Sequence, residues 1–230
     1  MTGLPQEFDC TLATWEDMYG LSRRVADAVK TADFDPEVVV ALARGGWFAG
    51  RCLCDFLGLD DLASLKVEHY VGTAQTAEEP RVRYPLAEGS VTGKRVLLVD
   101  DIADSGASIS RAVGHVEARD PAALETATLQ LLSTSAFEPT YVGKQLEEWV
   151  WVVYPWNFME DMIELVGGVI ESAGAGPYTQ QELVEMLSES HGLGAAELAA
   201  AQPGRMPEVL EEMDRRGLVT HTGAGWAPAD

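Results

Sequence analysis

The chain has 230 residues, 47% of them hydrophobic, and 37 acids against 16 basic residues give it a formal charge of −21. That length suits one α/β domain with a small appendage. The charge argues against a general nucleic-acid binder, whose phosphate contacts need surplus Lys and Arg, while the apolar fraction excludes a disordered acidic chain. Only four of the basic residues are Lys. An acid-rich, Lys-poor surface fits a salt-rich cytoplasm, where screening weakens self-repulsion. No apolar stretch reaches membrane-spanning length, and Met1 to Cys10 carries no signal pattern, so a soluble cytoplasmic protein is expected. Cys10, Cys52 and Cys54 are odd in number and suggest neither a zinc site nor a disulfide framework. They read as small buried hydrophobes.

In chain order, Trp15 to Lys30 places Leu21, Val25, Ala28 and Val29 on one helical face. Glu37 to Ala41 is a β-branched strand, Arg44-Gly45-Gly46 a turn, and Trp47 to Leu57 a helix closed by Gly58. Leu62 to Val71 is a strand. Gly72 to Gly93 is long and polar, which predicts a functional loop or lid. Arg95 to Val99 is a buried strand, and Ile109, Ala112, Val113 and Val116 face one side of the following helix. Leu124 to Leu132 and Trp149 to Tyr154 are two further strands. Strands alternating with helices predict an α/β fold with a parallel, doubly wound sheet, whose ligands sit at the carboxyl ends of strands.

The domain division expected is 1–170, a Gly/Ala-rich linker 171–176, and a separate segment 177–230. In that last segment Leu183, Met186 and Leu187 mark one helix and Ala195 to Ala201 a second. Met206, Val209, Leu210 and Met213 mark a third, and a hairpin follows Gly217. Three helices and a hairpin make a winged-helix-like order.

The most telling run is Val96-Leu-Leu-Val-Asp100-Asp101-Ile-Ala-Asp104-Ser105-Gly106-Ala107-Ser108. An apolar strand delivers two adjacent acids, then a third acid and a tight turn that opens a helix. Backbone N–H groups and hydroxyls at a helix start suit a phosphate. Carboxylates at a strand end suit sugar hydroxyls, directly or through Mg²⁺. The plainer reading is a set of helix-capping acids.

This run resembles the signature of the type I phosphoribosyltransferases, in their purine (hypoxanthine/xanthine-guanine) branch of archaeal type. The resemblance spans roughly the first 165 residues. Ala43-Arg44-Gly45-Gly46 is similar to the family's pyrophosphate loop, which often holds a strained or cis peptide. Leu65 to Tyr70 and the loop after it resemble the strand and flexible hood. Trp151-Val152-Val153-Tyr154-Pro155-Trp156 is similar to the purine-binding loop of bacterial xanthine-guanine enzymes.

The resemblance implies roles. Asp100 and Asp101 would bind the ribose hydroxyls of phosphoribosyl pyrophosphate (PRPP) and hold Mg²⁺. Asp104 would serve as the catalytic acid or base near the purine. Asp104, Ser105, Gly106, Ala107 and Ser108 would cradle the 5′-phosphate. Arg44 and Gly45 would contact pyrophosphate, and Trp151 and Val152 the purine, although Trp151 also reads as an ordinary core residue. The hood residues Arg81 and Arg83 would close over PRPP, or form a solvated cluster with Glu78, Glu79 and Glu88. One departure stands out: six-oxopurine enzymes usually carry a Lys after the next strand, where this chain has Leu131-Leu132-Ser133-Thr134-Ser135. The implied activity is purine phosphoribosyl transfer from PRPP, by a homodimer. The alternative is a phosphoribosyltransferase-like regulator with a DNA-binding tail. Against it, residues 177–230 hold three Arg and nine acids.

Overall fold

In the computed structural model, which describes residues 7–72 and 75–229, the β-branched runs become neighbours in one six-stranded sheet. The elements in chain order are β1 (Cys10–Leu12), α1 (Trp15–Thr31), β2 (Val38–Ala43), α2 (Gly46–Leu57), β3 (Leu62–Gly72) and β4 (Gln75–Tyr84). There follow β5 (Arg95–Ala103), α3 (Ala107–Glu117), β6 (Ala123–Leu132), β7 (Tyr141–Leu146), β8 (Trp151–Val153) and α4 (Phe158–Ala173). Last come α5 (Gln180–His191), α6 (Ala195–Ala201), α7 (Arg205–Arg215), β9 (Val219–Thr222) and β10 (Gly225–Pro228).

The chain divides into two compact units. The larger holds residues 16–72 and 76–149; the smaller holds the described residues up to Trp15 and those from Val150.

In the larger unit the strand order is β4-β3-β2-β5-β6-β7, and the β3-β2-β5-β6-β7 pairs are all parallel. A strand buried on both faces should read as a continuous apolar run, and Val38 to Leu42 are all 3% exposed or less. Alternate residues serve opposite layers. Val38, Val40, Leu42, Val96 and Leu98 join Ile109, Ala112 and Val116 of α3 in one core. On the other face Gly50 of α2 lies so close to Ala41, Val39 and Leu62 that a Cβ would stand 2.9 Å from the Ala41 methyl. The helix α2 ends at Gly58 in the left-handed region (φ 71°), whose N–H returns to the Asp55 carbonyl.

Several expectations need correction. The segment predicted as a lid is largely a strand: β4 runs to Tyr84 beside β3, and only Thr73 and Ala74 of it lie outside the described residues. β5 continues past Val99 to Ala103, so both acids of the signature stand on the strand itself. The strand expected over Trp149 to Tyr154 shrinks to β8, which leaves the main sheet and pairs in parallel with β1. The sixth strand is instead β7, Tyr-Val-Gly-Lys-Gln-Leu. Its polar edge residues hide it from an apolar pattern.

The smaller unit has its own core. Phe158, Met162, Leu165 and Val169 of α4 cluster with Leu183 and Leu187 of α5, Leu198 of α6, and Met206, Val209 and Leu210 of α7. A division at residue 170 would cut through this core, and the segment 171–176 begins as the last turn of α4. A capping box opens α5: Thr179 accepts from the Glu182 N–H while the Glu182 carboxylate accepts from the Thr179 N–H. β9 and β10 pair as an antiparallel hairpin. Among the described residues, no helix is long and apolar enough to cross a membrane.

Leu98 is wholly buried in the α3-facing core. Leu98→Ala is therefore expected to destabilise the larger unit by about 2–5 kcal/mol, measured by denaturant unfolding; a loss well under 1 kcal/mol would contradict this packing.

Candidate functional site

β2 and β5 are adjacent parallel strands, in register from Val38↔Val96 to Ala41↔Val99. Beyond that point β2 turns through Arg44-Gly45-Gly46 into α2, while β5 runs on beside β6, pairing Asp100↔Thr128 and Ala103↔Leu131. The turn therefore lies against the two acids. A Cβ on Gly45 would collide with the Asp101 carboxyl group. One on Gly46 would stand 2.7 Å from the Val99 carbonyl oxygen and 3.1 Å from Asp100 Cα. Glycine at both positions is what permits this approach. The Ala43–Arg44 peptide is cis.

Asp100 is 8% exposed. Its Oδ1 accepts from the Asp101 N–H at 2.9 Å, and Asp101 Oδ1 accepts from the Ile102 N–H at 3.0 Å. Burial pushes the Asp100 carboxyl well above the usual carboxylate range; the Asp101 charge and a side-chain hydrogen bond with Asp101 push the same way, while bonds from the Asp101 and Gly46 backbones oppose them. Two acids so placed resist carrying two full charges. Hydroxyl donors or a cation would relieve them.

The next turn opens α3. Gly106 takes φ 78° and stands at the cap of α3. A side chain there would meet the Phe137 N and the Ser135 Oγ, each at 2.8 Å. Ser105 Oγ accepts from the Ala107 N–H at 3.3 Å. Within α3 the Ser110 N–H reaches the Gly106 carbonyl, so the N–H groups of the first turn precede the helical ladder, where an anion is favoured. Asp104 is half-buried. Its Oδ1 accepts from Thr134 Oγ1 at 3.2 Å.

A cavity beside Arg44 is walled by Trp47, Ser64, Lys66 and Tyr84. The Trp47 indole N–H donates to Ser64 Oγ of β3 at 2.8 Å. Lys66 and Arg83 lie 3.6 Å from the Glu68 carboxylate and about 6 Å from the Tyr84 ring centre. Arg83 is thus anchored in the described residues on a strand, rather than carried on a free loop.

The larger unit therefore brings together Arg44, Gly45, Asp100, Asp101, Asp104, Ser105, Gly106, Ala107 and Ser108. Trp151 and Val152 belong to the smaller unit. There Val152 is buried opposite Thr11, and the half-buried Trp151 packs against the smaller unit's core. Sequence reasoning gave no role to Trp47, Ser64 or Lys66, placed Tyr84 only in the hood, and noted Thr134 only where a Lys was expected. Ser64 and Lys66 share one face of β3, a signal that the period of two could have given. Thr134 needed the β5–β6 register.

Comparison with known proteins places this geometry in context. The phosphoribosyl transferase domain model matches residues 15–159. A xanthine-guanine phosphoribosyltransferase of Gluconobacter oxydans (strain 621H) is 28% identical over 154 residues, covering 66% of this chain and 88% of the relative. The crystal structure of a purine phosphoribosyltransferase from Pyrococcus horikoshii superposes with a TM-score of 0.56 at 26% identity, covering 64% of this chain and 94% of that one. A xanthine-guanine-hypoxanthine phosphoribosyltransferase of Helicobacter pylori shares the fold, with a TM-score of 0.53 at 18% identity over 65% of this chain and 93% of that one.

Two expectations follow from the acid pair. Because folding raises the Asp100 pKa, its favourable contribution is complete below the usual carboxylate range and is lost as pH rises through the folded value. Asp101→Asn removes a repelling charge. It should therefore raise the melting temperature by about 2–4 °C at pH 7–8 without ligand, with the gain shrinking toward pH 4. A variant less stable than wild type throughout would contradict the electrostatic account. Gly45→Ala should cost about 1–3 kcal/mol through steric overlap with Asp101, read from the unfolding midpoint; an unchanged midpoint would mean the loop is not seated on the acids.

Proposed function

Because this chain belongs to the phosphoribosyl transferase domain family, we propose that it transfers the phosphoribosyl group of PRPP to a free purine base, giving a nucleoside monophosphate and pyrophosphate. The observation that carries this reading is the seating of the Arg44-Gly45-Gly46 turn directly on Asp100 and Asp101, one strand away from the anion-shaped turn of α3. Three recognition elements for a sugar diphosphate thus converge at neighbouring strand ends. The purine reading draws support from the relatives in Gluconobacter and Pyrococcus.

In this mechanism Asp100 and Asp101 accept hydrogen bonds from the ribose 2′- and 3′-hydroxyls. The N–H groups and hydroxyls of Ser105 to Ser108 bind the 5′-phosphate, and Arg44 with the Gly45 N–H binds the pyrophosphate. The C1–oxygen bond breaks with its electron pair leaving on pyrophosphate. A base nitrogen forms the new bond to C1, and the proton displaced from the base passes to the Asp104 carboxylate. The acid pair, disfavoured as a doubly charged group, suits a divalent cation, and Mg²⁺ held there would add positive charge beside the departing pyrophosphate. Most of the acceleration comes from orientation and electrostatics, since no covalent intermediate on the protein is needed. The active form is a homodimer in the cytoplasm of a high-salt cell.

A second reading draws on the tail, whose three helices and hairpin follow a winged-helix order. In it the chain is a nucleotide-sensing regulator. The surface of α7 disfavours that role: Glu208, Glu211 and Asp214 are exposed, and Glu212 engages both Arg215 and Arg216. A helix with that face repels phosphates.

The test is turnover of PRPP with adenine, hypoxanthine, guanine and xanthine, with Mg²⁺, at low salt and in multimolar KCl. Formation of a nucleoside monophosphate from at least one base is expected, and Asp104→Ala should lower kcat by about 10²–10⁴-fold. Absence of product from all four bases in both salts would overturn the reading.

A further inference from the structure

The loop after β6 does more than connect strands. Its Ser133 N–H donates to the Leu146 carbonyl at 3.1 Å, and Ser133 Oγ donates to the Glu147 carbonyl at 2.7 Å. Both bonds tie it to the chain at the end of β7. On its other side the Ala136 N–H donates to the Ser105 carbonyl at 3.1 Å, and Ser135 and Phe137 fill the space that a side chain at Gly106 would need. Ser135 Oγ in turn donates to the Phe137 carbonyl at 2.8 Å and accepts from the Phe137 N–H at 3.2 Å. The loop is thus clamped to β7 on one side and to the anion-shaped turn on the other.

Thr134 stands between these clamps. Its hydroxyl lies 3.2 Å from Asp104 Oδ1 and 3.4 Å from the Asp104 main-chain oxygen. One hydroxyl thereby faces both the carboxylate and the backbone of the same residue. The parallel register explains the meeting: Ala103 lies opposite Leu131, so the chain leaving β5 and the chain leaving β6 emerge side by side.

We propose that Thr134 is a positioning residue, which rests on the phosphoribosyl-transfer reading above. Its O–H donor fixes the rotamer of the Asp104 carboxylate, and the clamped loop fixes Thr134 relative to the phosphate turn. The phosphate of the sugar and the proton acceptor for the base are then held at a set separation by one short segment, 133–137. A proton acceptor left to sample several rotamers spends less time in reach of the base, which lowers kcat with little effect on capture of the donor. The hydroxyl is exposed and ordering one side chain is a modest effect, so the change expected is correspondingly modest.

The experiment is a double-mutant cycle on the full-length chain with PRPP, Mg²⁺ and whichever base the wild type accepts. Thr134→Val removes the donor and keeps the shape; Thr134→Ser keeps the donor. Thr134→Val is expected to lower kcat about three- to tenfold, the scale of one hydrogen bond. KM for PRPP should stay within twofold of wild type, and Thr134→Ser should retain at least half of wild-type kcat. In an Asp104→Ala background the same Thr134→Val change should have no further effect on kcat. Equal kcat for Thr134→Val and wild type overturns the proposal, as does an undiminished effect in the Asp104→Ala background. A Thr134→Ser variant as slow as Thr134→Val also overturns it, because methyl packing would then be the cause. A wild type that turns over no base defeats the functional reading itself, and this proposal with it.

Discussion

Two residues without side chains make room for a buried acid and a half-buried one, and the rest of the larger unit is arranged around that fit. Gly45 and Gly46 can lie on Asp100 and Asp101 only because no Cβ intervenes. The approach brings backbone N–H groups to a pair of carboxyls that resist ionising together. The unit thus folds around two neighbouring carboxyls whose charges repel one another. Stability is given up at this point and recovered elsewhere, in the apolar layers on both faces of the sheet. Such a cluster is a poor structural device and a good receptor for hydroxyls and cations.

The parallel register turns this local fit into a site. In a doubly wound sheet the strand ends on one edge face the same way, so residues far apart in sequence emerge together. Here the ends of β2, β5 and β6 deliver a cationic turn, two acids and a bracing loop. The distances between them are set by backbone pairing rather than by long side chains. That rigidity matters for a transfer reaction, where orientation supplies much of the acceleration. The cavity walled by Trp47, Lys66 and Tyr84 lies beside the Arg44 turn along β3.

Much of this was legible in the sequence. The run from Val96 to Ser108 announced a buried strand, paired acids and a tight glycine turn that opens a helix. The residues from Arg44 to Gly46 announced a turn one strand earlier. Helix ends were legible where glycine marked them, as at Gly58. What escaped was whatever depends on pairing. β7 and β4 are edge strands with mixed, largely polar sequences, and β8 is too short to classify without its partner β1. The extent of the smaller unit was missed for a related reason: α4 adds its apolar face to the faces of the tail helices, and no local pattern says which neighbour a helix will cover. Thr134 was noticed only for not being Lys. Its bond to Asp104 follows from a strand register that sequence alone leaves open.

The central claim is that the β5 acid pair and the turn after it grip one phosphorylated sugar. The most direct test is a crystal structure of the protein with PRPP and Mg²⁺. The account predicts the ribose hydroxyls within hydrogen-bonding distance of Asp100 and Asp101 and the 5′-phosphate enclosed by residues 105–108. A donor bound elsewhere, with that turn holding only solvent, would contradict it.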